Sequence, residues 1–182
     1  MPPMKADASW IPDFRVKYAA WLAQAKPLLD QEKYADAFKT YPFPKLGPPP
    51  WTPARKPLSQ SRIAFVSTGG IYRQGADKPF DAESVEGDVS FRVLPRTLRA
   101  GEYGIAHSHI PHQVALEDLN TVLPLTRVEE LIAEGIVGEL APSHYSFIGY
   151  CPPAAALAEE VAPAIAAAMA AERVDVALVV PI

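Results

Sequence analysis

The chain has 182 residues, enough for one ordinary domain plus an extension, and 49% of them are apolar, enough to build a core. A net charge of −4, a pI near 5.6 and no strongly basic stretch argue against nucleic acid as a partner, because phosphate binding needs clustered lysines and arginines. One cysteine, Cys151, excludes an internal disulfide and suits a reducing compartment. No apolar run approaches the ~18–20 residues of a bilayer span and no basic-then-apolar leader opens the chain, so a cytoplasmic protein is expected, with no membrane partner.

Residues 1–46 read as a helical extension. From Pro12 onward, Phe14, Tyr18, Trp21, Leu22, Ala25 and Leu28 recur at helical spacing, a face that would pack on its own domain or on a twin subunit. A second short helix is expected over Gln31–Lys39. The run YPFPKLGPPPWTP then places seven prolines and glycines in 13 residues and forbids a helix; it reads as a rigid strap or a proline-rich recognition segment.

Residues 47–182 read as an α/β domain. Ile63–Ser67 is a β-branched strand that runs into Thr68-Gly69-Gly70, the kind of turn that brings backbone N–H groups to a ligand at a strand's C-terminal end. A long loop, Tyr72–Val89, precedes a short strand at Ser90–Leu94. Asp88 and Arg92 stand where the loop returns, placed either for a substrate carboxylate or for a structural ion pair. Gly104–His109 is expected as a strand, so His107 and His109 would share a face, with His112 after a proline turn. That H-x-H-x-x-H spacing suits polar substrate contact, acid–base work, structural hydrogen bonding or one arm of a metal site built on His107, His109 and His112.

Asp118 and Asn120 precede the strand-like TVLPL. Thr126 and Glu129 then have capping-box spacing, Val128, Leu131 and Ile132 fall on one helical face, and Gly135 supplies a left-handed stop. After Ile136–Leu140 comes SHYSFIGY, in which His144, Tyr145 and Ser146 gather hydrogen-bonding groups ahead of a glycine. Cys151, beside Pro152 and Pro153, reads as a spectator thiol. Ala154–Glu172 is an amphipathic helix that Pro163 should kink or restart. The closing run VDVALVVPI has the continuous apolar character of a central parallel strand buried on both faces.

Four segments in this order, WTPARKPLSQSRIAFVSTGGIYRQGADKPF, GDVSFRVLP, DLNTVLPLTRVEELIAEGIVGELAPSHYSFIGY and ERVDVALVVP, resemble the selenoprotein B subunits of glycine/betaine/sarcosine/D-proline reductase. The resemblance covers about residues 51–182. It implies a flavodoxin-like, three-layer, mostly parallel open sheet, incomplete at the C-terminus. It also implies reductive cleavage of a C–N bond in a small amino acid or amine. In such systems a selenocysteine or cysteine attacks a substrate carbon, the amine leaves and a thiol resolves the adduct. A pyruvoyl-bearing partner subunit, a thiol electron donor and homo-oligomerisation are the implied company. The family's redox motif follows the strand that here ends VVPI, so the nucleophile is expected after Ile182, and termination at a UGA codon would account for its absence. No cofactor is expected in the chain itself. Thr68, Gly69, Gly70, Asp88, Arg92, His107, His109, Asp118, Asn120, His144 and Tyr145 are the expected substrate contacts. A metal-dependent hydrolase or isomerase on the histidines, and a non-catalytic binding protein, are the alternatives.

Overall fold

The computed structural model describes residues 7–48, 52–108 and 110–182; His109 therefore lies outside the described residues. A five-stranded sheet is built on β1 (Arg62–Ser67), whose sequence is apolar on both faces because both faces are covered. Along one edge of β1 lies β7 (Val176–Val180), parallel, from Ile63↔Val176 to Ser67↔Val180. Along the other edge run β5 (Glu139–Leu140) and then β6 (Ser143–Ser146), also parallel. β3 (Arg92–Pro95) closes that side antiparallel to β6, with Leu94 opposite His144. A separate hairpin pairs β2 (Ile71–Arg73) with β4 (Tyr103–Ile105).

Helices cover both faces, which makes three layers. On one face Ile63 and Phe65 pack with Leu125 and Val128 of α4 (Leu125–Ala133), and with Ile71, Tyr103 and Ile105 of the hairpin. On the other, Ala64 and Tyr145 meet Val161, Ile165 and Met169. Those three belong to one long helix made of α5 (Ala154–Ala156), a π-turn (Leu157–Val161) and α6 (Ala162–Ala171). The π-turn lies just before Pro163 and opens the ladder where the proline ring would otherwise meet the preceding turn, so the restart expected from the sequence is present. By length and composition alone Ala154–Ala171 is long and apolar enough to cross a bilayer, which the run-length reading missed; here its Val161–Ile165–Met169 stripe is buried against the sheet.

The α4 helix corrects a detail. Its first residue is Leu125, not the residue after Thr126, because burying Leu123 and Leu125 pulls the helix start forward. No capping box forms. Asn120 caps from outside instead: its Oδ1 accepts from the Thr126 N–H at 3.2 Å and from Thr126 Oγ1 at 2.8 Å. Glu129 turns away to Arg99, 3.0 Å distant. The other end matches expectation: Gly135 has φ +73°, and the N–H groups of Gly135 and Ile136 donate back to Ile132 and Leu131, a Schellman stop.

Three strand expectations change. TVLPL is not a strand: Asp118 Oδ1 accepts from the Asn120 N–H at 2.9 Å and winds Leu119–Thr121 into a 3₁₀ turn after the short α3 (His112–Glu117). The strand expected over Gly104–His109 is only Tyr103–Ile105, so His107 stands in the turn beyond it. Most consequentially, VDVALVVPI does not lie between two strands among the described residues: β7 pairs with β1 alone, and Val179 is 64% exposed.

The extension packs on its own domain. In α1 (Ile11–Leu29) Phe14, Trp21, Ala25 and Leu29 are buried, and Pro12 sits in the first turn, where a missing N–H costs nothing. The expected second helix shrinks to α2 (Tyr34–Ala37) and a 3₁₀ turn, since Asp30–Lys33 turn the chain back on α1. Trp21 stacks edge-on against Tyr41, ring centroids 4.9 Å apart, and donates to the Ala37 carbonyl at 3.0 Å. Tyr41 Oη then donates to the Pro152 carbonyl at 2.6 Å, and Arg15 pairs with Glu159, fastening the extension over the segment that follows β6.

Candidate functional site

The C-terminal ends of β1, β6 and β7 meet at one edge of the sheet, the place where open α/β sheets put their chemistry. The two inner strands end alike. Ser67 and Ser146 are register partners, and both side chains are buried. Ser67 Oγ accepts from the Gly69 N–H at 3.1 Å, and Ser146 Oγ accepts from the Ile71 N–H at 2.9 Å. Both hydroxyls therefore hold the one turn that follows β1, Ser67 from its own strand and Ser146 from the neighbouring strand.

The Thr68-Gly69-Gly70 turn is not an open nest of amides. The Thr68 N–H donates to Val180, the Gly70 N–H to Phe147 and the Gly149 N–H to Thr68, all backbone carbonyls. These donors are consumed in joining the three strand ends, so the ligand-facing N–H groups expected of this turn are not presented. What the turn does is clasp the end of β7: Thr68 Oγ1 accepts from the Ile182 N–H at 2.7 Å. Glycine is needed at the crossing points. A Cβ on Gly149 would stand 3.2 Å from His107 Nε2 and 3.3 Å from both Thr68 Oγ1 and the Ile182 carbonyl. A Cβ on Gly70, whose φ is +64°, would stand 2.4 Å from the Ala106 carbonyl oxygen.

His107 therefore belongs to this junction: its imidazole is buried, next to Gly149. His112 supports it from behind, its Nε2 2.7 Å from the His107 carbonyl oxygen. That contact engages one of the two ring nitrogens of His112, and His109, the third member of the expected set, lies outside the described residues. Among the described residues no three His, Cys, Asp or Glu side chains gather as a metal would require.

Asp88 and Arg92 are placed apart, Asp88 where the long loop ends and Arg92 at the start of β3. Burial alone would raise the Asp88 carboxyl, but hydrogen bonds from Ser90 and from the Asp81 and Ser90 N–H groups outweigh it and hold the pKa below the ordinary value. Arg92 donates to the Lys78 carbonyl at 2.9 Å and to Ser90 Oγ at 2.9 Å, and its guanidinium lies 4.2 Å over the Phe80 ring. The pair staples the loop, and Phe80 in turn packs on Ala106 and Ile148 beside the junction. Cys151 is half-buried under the extension. Burial, and then the Asp88 carboxylate, push its thiol up to about 11, the reverse of an activated nucleophile.

His144 and Tyr145 lie back in β6, fully buried. Two extra residues around Pro142 separate the β5 and β6 pairings with β1, which leaves the Phe65 N–H without a carbonyl opposite. His144 Nδ1 fills the gap, accepting from Phe65 N–H at 3.1 Å. Burial pushes its pKa down to about 4, helped by Arg96. Tyr145 packs against the α6 side of the sheet. Asp118 and Asn120 shape the turn before α4, and that turn reaches the junction through Val122, 3.3 Å from where a Gly69 Cβ would be.

Thus Thr68, Gly69, Gly70 and His107 come together with Ser146, which the sequence reading noted ahead of a glycine; that reading missed Ser67, Gly149 and the Ile182 main chain. The repeated Ser-x-x-Gly at the ends of β1 and β6 (Ser67–Gly70, Ser146–Gly149) was the available signal.

Comparison with known proteins bears on this site. The family model of the glycine/sarcosine/betaine reductase selenoprotein B matches residues 26–181, reaching into the extension that the sequence reading had set outside. The chain is 32% identical over 131 residues to D-proline reductase subunit gamma of Acetoanaerobium sticklandii, which covers 72% of this chain and 52% of that one. It is 30% identical to the glycine reductase complex component B subunit gamma of Carboxydothermus hydrogenoformans, over 74% of this chain and 31% of that one. A 27% likeness to the sarcosine reductase complex component B subunit beta of Peptoclostridium acidaminophilum covers 69% and 29%. The chain thus spans about half the length of the first of these relatives and about a third of the other two. No solved structure matches it.

Proposed function

This chain belongs to the glycine/sarcosine/betaine reductase selenoprotein B family, and from that membership we propose that it is a subunit of a reductase that cleaves the C–N bond of a small amino acid or amine. The observation that carries the proposal is the junction at the strand ends: β7 delivers its main chain to Thr68, directly beside the buried His107. A selenocysteine or cysteine following β7 would stand at that point. Its chalcogenolate would attack the substrate carbon and the C–N electron pair would leave with the amine; a thiolate would then attack the chalcogen, forming a chalcogen–sulfur bond while the carbon departs with the carbon–chalcogen pair and takes up a proton from water. His107 would hold or supply the proton that the departing nitrogen needs. Cys151, with its raised pKa and its cover of aromatic rings, is not the attacking group.

In this reading the assembly includes further subunits, one of them bearing the pyruvoyl group, and a thiol electron donor. Glycine, sarcosine, betaine and D-proline are the substrates to try, since the relatives and the family carry those names. The test is NMR titration of the labelled protein with each of the four. The His107 ring and the Thr68 and Gly149 amides should shift together with at least one compound, and His107→Gln should abolish the response. Four silent titrations, or shifts centred elsewhere, would overturn the assignment of this junction as the substrate site.

A further inference from the structure

A small cavity opens between the extension and the segment that follows β6. It measures about 160 Å³ and is lined by Phe38, Tyr41, Gly149, Tyr150, Cys151 and Pro152. Gly149 belongs to this cavity and to the strand-end junction at once, since a Cβ there would stand 3.2 Å from His107 Nε2 and 3.3 Å from Thr68 Oγ1. The cavity and the buried imidazole thus meet at a single glycine.

Its walls are aromatic and uncharged. The Phe38 ring has its centroid 5.2 Å from that of Tyr41 and 5.9 Å from that of Tyr150. Both phenols are anchored by their hydroxyls, Tyr41 donating to the Pro152 carbonyl at 2.6 Å and Tyr150 to the Val85 carbonyl at 3.0 Å, so the rings are fixed and their O–H donors are spent. Among the described residues no lysine, arginine, aspartate or glutamate lines the space. Cys151, its thiol pushed up to about 11, keeps its proton at neutral pH. The Asp88 carboxylate, whose charge reaches Cys151, already accepts from the Asp81 and Ser90 N–H groups. With no cation among the walls, an anion finds no partner. A primary ammonium, with three strongly hydrated N–H donors, finds no free carboxylate. An ammonium clothed in carbon groups needs neither: it has little hydration to lose, and aromatic faces attract its charge. An apolar cavity of ~150 Å³ takes a benzene-sized guest, so a trimethylammonium group or a pyrrolidinium ring fits.

We propose that this cavity binds the alkylated nitrogen of the substrate, so that N-alkyl amino acids of the betaine and D-proline kind, rather than glycine, are the compounds this chain selects. Phe38, Tyr41 and Tyr150 are then its specificity-determining residues. Placed there, the nitrogen lies at Gly149, beside the imidazole assigned to proton transfer, and within the negative field of Asp88. The inference rests on the reductase reading for the identity of the substrate, but the cavity's preference for an alkylated cation is measurable without it.

NMR titration with tetramethylammonium chloride tests it, with ammonium chloride as the unalkylated control. Tetramethylammonium should shift the Phe38, Tyr41 and Tyr150 ring signals saturably, and ammonium should not. Phe38→Leu, which keeps an apolar side chain and removes the π face, should weaken that binding about tenfold. Tyr150→Leu should act in the same direction, so the outcome does not hang on one variant's folding. Phe91→Leu, at a ring packed on the α6 side of the sheet, should leave binding unchanged. Unaltered dispersion of the remaining amide signals guards against mistaking unfolding for lost affinity. Among the amino acids, betaine and D-proline should bind at least about tenfold more tightly than glycine. The anion of tert-butylacetic acid, in which carbon replaces the betaine nitrogen, should bind more weakly than betaine. Rings silent to tetramethylammonium, binding indifferent to both leucine variants, or glycine held as tightly as betaine would each overturn the proposal, while any shift of His107 and Thr68 would still support the reductase reading. Tetramethylammonium bound at the rings, with no amino acid moving His107 or Thr68, would uphold the cavity's selectivity and overturn the junction as the substrate site.

Discussion

Gly70 is where the turn after β1 crosses the turn after β4, and Gly70→Ala measures how closely that crossing is built. Two costs add. The left-handed backbone at φ +64° disfavours a Cβ by about 1–2 kcal/mol. The new Cβ, 2.4 Å from the Ala106 carbonyl oxygen, also forces two backbones apart. That separation strains the hydrogen bonds from Ala106 N–H to the Gly70 carbonyl, 2.9 Å, and from Gly70 N–H to Phe147, 3.0 Å, each worth about 1 kcal/mol. Against these, alanine lowers unfolded-state entropy by roughly 0.5 kcal/mol. The expected net loss is about 3 kcal/mol, a large part of a typical domain's ~5–15 kcal/mol. Gly75 supplies the control: its φ is +74°, but nothing lies within 4 Å of where its Cβ would be. Gly75→Ala should therefore cost only about 1 kcal/mol. Urea denaturation of both variants separates conformational strain from contact. Equal losses would refute the close crossing and, with it, the geometry assigned to His107.

Other consequences are open to measurement. His144 is neutral when folded, with its pKa near 4, whereas the unfolded chain takes up that proton below ~6.5; stability is therefore fully present above pH 6.5, falls by roughly 3 kcal/mol as pH drops, and levels off below pH 4. His144→Asn, which can still accept from Phe65 N–H, should flatten the stability profile in that window, and an unaltered slope would assign the acid sensitivity to the carboxylates. Asn120→Ala should destabilise by about 1 kcal/mol through loss of the α4 cap, while Thr126→Ser, which keeps the hydroxyl, should cost less than ~0.5 kcal/mol in the same urea titration. Cys151 should alkylate roughly a hundredfold more slowly at pH 8 than an unhindered thiol, with a rate that climbs about tenfold per pH unit until near pH 11. Rapid labelling at pH 8 would show that the extension does not cover it.

The sequence by itself determined the local pieces. Hydrophobic periodicity placed α1, α4 and the long C-terminal helix. The β-branched run Ile63–Ser67 placed the strand on which the sheet is built, Gly135 stopped a helix where it should, and Pro163 marked a break. Segment order was enough to indicate the family. These features depend on neighbours a few residues apart, so they survive being read along a line. What only the tertiary structure decided depends on which segments meet. VALVV has the composition of a central strand, yet composition cannot say which strands lie beside it, and among the described residues it pairs with β1 alone. Thr126 has a capping spacing, but Asn120 reaches the helix start first, because burial of Leu123 and Leu125 shifts that start forward. His144 looked like a ligand-facing side chain; a displaced strand pairing left one N–H of Phe65 exposed to its imidazole, and no local pattern records a missing carbonyl on another strand. Thr68 and His107 share a site only because three strand ends converge, and the amides expected to greet a ligand there are already spent on holding those ends together.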